Sequence, residues 1–166
     1  ARTPDEVRAA IDLALEYDQW ILIEEAVRGR EIEVAVLGND RPEASVAGEI
    51  VPAKDFYDYD DKYLSSGAQL LVPAPLATDR SDEVRSLAMR VFGALRGSGL
   101  ARVDFFFEED GRGFLCNEMN TMPGFTPISM YPKLWQASGL TYPHLIDRLI
   151  DLAFERHRGL RRNTAR

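Results

Sequence analysis

Two short apolar runs around a polar turn constrain this chain more than any other stretch. Phe105-Phe106-Phe107 and Phe114-Leu115-Cys116 flank Glu108 to Gly113. Such runs are usually buried on both faces of a sheet, so the pair predicts a hairpin in a core. Polar groups sit at its open end, in Arg102-Val103-Asp104 and Asn117-Glu118-Met119-Asn120. Alternation along a strand puts residues of like parity on one face. Arg102, Asp104 and Phe106 then share a face, as do Cys116, Glu118 and Asn120. A register pairing Phe106 with Cys116 sets Asp104 opposite Glu118 and Arg102 opposite Asn120. Side chains so paired lie about 5 Å apart at Cβ. Two carboxylates at that distance repel unless water or a cation separates them. A hairpin with its charges in water and a site for Mg²⁺ or Mn²⁺ both remain open on the residues alone. The buried flanks favour partners for the carboxylates, and hard oxygen donors suit those ions.

The chain has 166 residues and a hydrophobic content of 45%, enough for one domain, or one domain and a piece of another. Its net charge is −7 and its pI about 4.9, which argues against nucleic-acid binding. The single cysteine, Cys116, excludes an internal disulfide framework and a cysteine-based zinc site. It reads as a buried strand residue. His144 and His157 have no evident partners in sequence. No apolar run approaches the ~20 residues of a membrane helix, and no signal peptide is evident. A cytoplasmic protein without membrane or nucleic-acid partners is the expectation.

Thr3-Pro4-Asp5-Glu6 reads as a capping box with proline at the first helical position. Val7, Ala10, Ile11, Ala14 and Leu15 form that helix's apolar stripe. Trp20 to Val27, broken by Glu24-Glu25, predicts a strand. Alternation over Glu31 to Leu37 and the run Ala44 to Val51 predict two more, separated by a turn at Gly38-Asn39-Asp40. Pro52 to Gly67 resists assignment. It carries four aromatics within Phe56 to Tyr63 and is expected to fold over something as a functional loop. Ser81 is expected to cap a helix whose stripe is Val84, Leu87, Ala88, Val91, Phe92 and Leu95, stopped by Gly97 and Gly99. After the hairpin come a loop from Thr121 to Pro127 and a short helix from Ser129 to Ser138. A last helix opens at Thr141, with Leu145, Ile146, Leu149, Ile150 and Ala153 inward. Trp20, Trp135, Phe105 and Phe107 read as core. The pattern predicts an α+β fold, a mostly antiparallel sheet with its helices on one side.

The motifs together resemble a known family. Ile21-Leu22-Ile23-Glu24-Glu25, Gly29-Arg30-Glu31, Phe56-Tyr57-Asp58-Tyr59 with Lys62-Tyr63, Gly99-Leu100-Ala101-Arg102-Val103-Asp104, Asn117 to Gly124 and Ser129 carry the likeness. They are similar to the C-terminal part of the D-alanine–D-alanine ligase family, within the ATP-grasp superfamily, over Thr3 to Ala153. The resemblance implies the end of a small ATP-binding subdomain at 1–27, a catalytic ATP-grasp subdomain at 28–158 and a basic tail at 159–166. It implies ATP-dependent joining of two D-alanines through a D-alanyl phosphate, for peptidoglycan and so for the cell wall and cell shape. Asp104, Glu118 and Asn120 would hold two Mg²⁺ or Mn²⁺ ions on the phosphates, with Glu118 bridging them. Arg102 and the backbone N–H of Gly124 would stabilise the tetrahedral intermediate. Ser129, with Met130 beside it, would bind the second D-alanine. Lys62 would reach the γ-phosphate, and Tyr63 would position substrate and favour a dipeptide over a D-alanyl-D-lactate product. Glu24, Glu25 and Val27 would lie by the adenine, and Glu31 on the ribose.

Two positions depart from the family: Glu25 stands where lysine is common, and Met122 where serine is. The resemblance also implies that the N-terminal part of the same enzyme, with its lysines and phosphate loop, is missing. The 166 residues alone would then bind metal and nucleotide poorly and not turn over. Family members often dimerise, chiefly through other parts, so a homodimer is the implied assembly. Another ATP-grasp carboxylate–amine ligase, or an inactive binding domain of that fold, are the alternatives.

Overall fold

The computed structural model describes residues 1–52 and 69–163. The aromatic loop, with Lys62 and Tyr63, and the last residues of the tail lie outside them. Five strands form one antiparallel sheet: β1 (Arg30–Gly38), β2 (Glu43–Val51), β3 (Gln69–Leu71), β4 (Gly99–Glu108) and β5 (Gly113–Asn120). Their order is β3-β2-β1-β4-β5. Among the described residues four helices accompany them: α1 (Pro4–Leu15), α2 (Thr78–Ala94), α3 (Met130–Ala137) and α4 (Tyr142–Asn163).

The helices do not gather on one side. On one face Ile32, Val34 and Val36 of β1 and Ala101, Val103, Phe105 and Phe107 of β4 pack on Val84, Ala88 and Phe92 of α2. On the other face Ala35 and Leu37 pack on Met130, Tyr131, Leu134 and Trp135 of α3 and Leu145 of α4. The helices of this second face cover the end of the sheet near Leu37 and Leu100. The end near Glu31, Glu33 and Asp104 is left open as a cavity. The site occupies this half of the sheet face, which none of the described helices covers.

Two bulges shape the sheet. Between β1 and β2 the register shifts between Val34 and Val36. The N–H of Ala35 at that shift donates to Oγ of buried Ser45 at 3.0 Å, which satisfies a group that burial would otherwise penalise. Between β4 and β5 the register shifts after Asp104, leaving Asn117 as the extra residue.

Several expectations are corrected. Trp20 to Val27 forms no strand, and Trp20 is 82% exposed rather than core. The capping box at Thr3 is present, but α1 buries no residue. Helix α2 begins three residues before Ser81, behind Ala77. Its left-handed end falls on Arg96, with φ of 55°, before Gly97 is reached. In α4 the buried side is Leu145 with partly buried Leu149 and Leu152. Ile146 and Ile150 face out, and so does Ala153: the apolar stripe is wider than the face that finds a partner. No described helix is long and apolar enough to cross a membrane.

Candidate active site

The expected register holds at the polar end of the hairpin and fails at the apolar end. Asp104 pairs with Glu118 and Arg102 with Asn120, whereas Phe106 pairs with Leu115 and Phe105 with Cys116. The bulge at Asn117 accounts for both results. It returns Cys116 to the opposite parity from Glu118, so these two do not share a face as expected. Cys116 is exposed rather than buried. Burial of what remains covered, followed by the nearby charge of Asp104, raises its thiol pKa, the opposite of activation. The bulge also places Asn117 and Glu118, consecutive residues, along the same cavity.

The cavity has a volume of about 180 Å³ and is lined by Glu31, Glu33, Arg102, Asp104, Asn117 and Glu118 among others. Pockets for whole ligands usually span about 300–1,000 Å³, so the described residues form one corner of a site. Arg102 lines it together with these acids. Its Nε donates to Oδ1 of Asp104 and its Nη2 to Oδ2, both at 2.7 Å. This is the two-pronged geometry in which arginine and carboxylate bind most strongly. The same Nε lies 3.2 Å from Oε1 of Glu33, which faces Asp104 directly across β1 and β4. Burial by itself lowers the guanidinium's pKa. The hydrogen bond to Asp104 and the charges of Glu33, Asp104 and Glu118 outweigh that, and the net shift is upward. Arg102 is a permanent cation within this group of acids.

Asp104, Glu118 and Asn120 offer hard oxygen donors on adjacent strands. No three His, Cys, Asp or Glu side chains among the described residues are gathered as a complete cage. Oxygen donors of this kind suit an ion that takes the rest of its shell from phosphate and water, as Mg²⁺ does. Both oxygens of Asp104 are engaged by Arg102, and Oδ1 of Asn120 accepts from the N–H of Met122 at 3.1 Å.

Beyond β5 the chain is pinned over the start of α3. The hydroxyl of Tyr142 donates to the carbonyl of Phe125 at 2.8 Å. Ser129 stands at the N-cap of α3 without capping it. Its Oγ accepts from the N–H of Thr126 at 3.1 Å and lies 2.8 Å from Thr126 Oγ1. A Cβ on Gly124 would lie 2.9 Å from Ser129 Oγ, so Gly124 and Ser129 are immediate neighbours. Met130 is buried in the core, which leaves its backbone, at the helix start, as the part that can meet a ligand.

Glu24, Glu25 and Val27 do not line the cavity. Glu25 is held by Arg112 of the β4–β5 turn, whose Nη1 and Nη2 donate to its two oxygens at 3.0 Å each. Arg112 also donates to Glu108. Reasoning from sequence missed Glu33, Asn117 and this link. Glu33 was within reach: it has the parity of Glu31, opposite the apolar side of β1.

Comparison with known proteins gives a consistent result. Residues 1–151 match the family model described as D-ala D-ala ligase C-terminus. The chain is 54% identical over 156 residues to a D-alanine–D-alanine ligase of Bacillus licheniformis, covering 94% of this chain and 43% of that protein. The solved D-alanine–D-alanine ligase of Coxiella burnetii superposes with a TM-score of 0.86 at 40% identity, covering 98% of this chain and 42% of that one. The Bacillus anthracis D-alanine–D-alanine ligase, solved in complex with ATP, superposes at 0.80 with 25% identity, covering 96% and 51%. The chain thus spans under half the length of the curated relative it matches. By sequence and fold, it belongs to the D-ala D-ala ligase C-terminus family.

Proposed function

We propose that these residues form the C-terminal, phosphate-handling part of a cytoplasmic ATP-dependent ligase that joins two D-alanines for peptidoglycan synthesis. The observation that carries this reading is the paired register of Asp104 with Glu118 and Arg102 with Asn120 on an open sheet face. The first D-alanine's carboxylate attacks the γ-phosphate of ATP, giving D-alanyl phosphate and ADP. The second D-alanine's amine then attacks that carbonyl, and inorganic phosphate leaves.

Asp104, Glu118 and Asn120 would hold two divalent cations, with Glu118 shared between them. Bound there, such ions neutralise phosphate charge during transfer. Arg102, a permanent cation, would stabilise the oxyanion of the tetrahedral intermediate, with the backbone N–H of Gly124 as second donor. Ser129 and the start of α3 take the second D-alanine's carboxylate, since helix N-termini favour anions. Glu24, Glu25 and Val27 meet the adenine and Glu31 the ribose. Lys62 and Tyr63 complete the γ-phosphate and substrate contacts from outside the described residues. A portion N-terminal to this segment supplies the rest of the nucleotide clamp and the first D-alanine site.

The test is phosphate release by the full-length enzyme with ATP and Mg²⁺. Addition of D-alanine stimulates it, with D-alanyl-D-alanine as product. No response to D-alanine, with a response to another carboxylate and amine pair, assigns the chain to a different ATP-grasp ligase.

A further inference from the structure

We propose that Glu33 is a positioning residue that serves as the second seat of Arg102, receiving the guanidinium when Asp104 turns to a divalent cation. The inference rests on the proposed function in that it takes Asp104 as a cation ligand. Asp104 cannot meet both demands as it stands. Its two oxygens each accept from Arg102 at 2.7 Å, and a divalent ion at the same carboxylate would face the guanidinium's charge at close range. Arg102 must loosen that grip, yet its charge is needed in the site when the oxyanion forms.

Glu33 supplies the alternative. It lies directly opposite Asp104 in the β1–β4 register, and its Oε1 is already 3.2 Å from the Nε that Asp104 now shares. A modest tilt of the guanidinium moves it from one carboxylate to the other. The Glu33 side chain is 6% exposed, less than the 14% of Asp104. Between charged groups so little exposed to water, the attraction is only weakly screened. It also stands mid-strand, between the buried residues Ile32 and Val34, so the seat does not move.

A double-mutant cycle tests this, with Mg²⁺ affinity measured by calorimetry on the full-length, ADP-loaded enzyme without D-alanine. Glu33→Gln removes the seat, leaves Arg102 committed to Asp104, and weakens Mg²⁺ binding about tenfold, which is about 1.4 kcal/mol. Arg102→Met frees Asp104 and tightens it. In the Arg102→Met background, Glu33→Gln changes affinity less than about twofold, because the two residues act as one unit. Glu33→Asp keeps the charge but withdraws it from Arg102, and weakens Mg²⁺ binding as Gln does. Equal weakening by Glu33→Gln in both backgrounds would mean that Glu33 acts as a bare charge, and overturns the proposal. So does wild-type affinity in Glu33→Asp, or a wild type that binds no Mg²⁺. The cycle uses no amino-acid substrate. An enzyme that binds Mg²⁺ as expected but makes no dipeptide contradicts the proposed function and leaves the seat standing.

Discussion

A methyl group on Gly124 has no free space to enter. Its carbon would stand 2.9 Å from Ser129 Oγ, and that oxygen is tied to the backbone and hydroxyl of Thr126. Gly124→Ala must therefore displace the group proposed to hold the second D-alanine. The expected outcome is a KM for D-alanine at the second site raised about tenfold, a cost of about 1.4 kcal/mol, with the KM for ATP changed less than twofold. Steady-state kinetics of the full-length enzyme measures both, and an unchanged D-alanine KM removes Ser129 from its role. At this scale the polar ends of the hairpin were legible, because strand parity alone aligns Arg102, Asp104, Glu118 and Asn120. The bulge at Asn117 was not: an inserted residue leaves no mark in a run of alternating side chains, yet it reverses the parity of Cys116. Met130 illustrates another limit. A residue at a helix start can turn its side chain into the core while its N–H faces a site, and sequence reports only that it stands there.

Among the elements, β1 and β2 were readable from their alternation, but the device that reconciles their register was not. Ser45 is fully buried. Its Oγ accepts from Ala35 N–H at 3.0 Å and donates to the Val46 carbonyl at 2.7 Å. Ser45→Ala strands the Ala35 N–H in the core, which costs about 1–3 kcal/mol. Thermal unfolding should show a lower Tm with an unchanged fold, and a Tm equal to the wild type's would mean that the bulge finds another partner. The β4–β5 turn carries a second prediction. Arg112 holds the Glu108 carboxyl down at about 2, against an ordinary value of 4.5, chiefly through the side-chain hydrogen bond. A carboxylate with a depressed folded pKa contributes stability above its unfolded pKa and loses it as pH falls through the folded one. The Tm difference between wild type and Arg112→Met should be constant from neutral pH down to about 4.5, then shrink and vanish near pH 2. A difference that persists at pH 2 would assign Arg112 a packing role instead. The Arg112–Glu25 pair could not be matched by sequence, since Glu25 lies far from Arg112 along the chain and meets it only when the hairpin is built.

For the whole molecule, the contrast between the described sheet with its helices and the segment before Arg30 bears on what the chain can do alone. The sheet and α2, α3 and α4 bury a core on both faces. Residues 1–27 read in sequence as a capped helix and an apolar strand; the helix forms with none of its residues buried, and the strand does not form. Tyr17, Trp20, Leu22 and Ile23 are 84%, 82%, 80% and 69% exposed. A strand exists only when another edge pairs with it, and no described strand does so here. Exposed apolar side chains such as these suit an interface. The proposed function names its occupant, the N-terminal part of the ligase, with which this segment would complete the adenine side of the clamp. Two tryptophans make that testable without any activity. In the 166-residue chain, iodide should quench Trp20 readily and leave Trp135, 4% exposed, almost untouched. In the full-length enzyme both should resist, as Trp20 enters a sheet. The same isolated chain, given ATP, Mg²⁺ and D-alanine, should form no D-alanyl-D-alanine, because the proposed function takes the other wall of the nucleotide site from the portion N-terminal to this segment. Dipeptide made by these residues alone, or a Trp20 equally open in the full-length protein, would show that the segment has no part in closing the site.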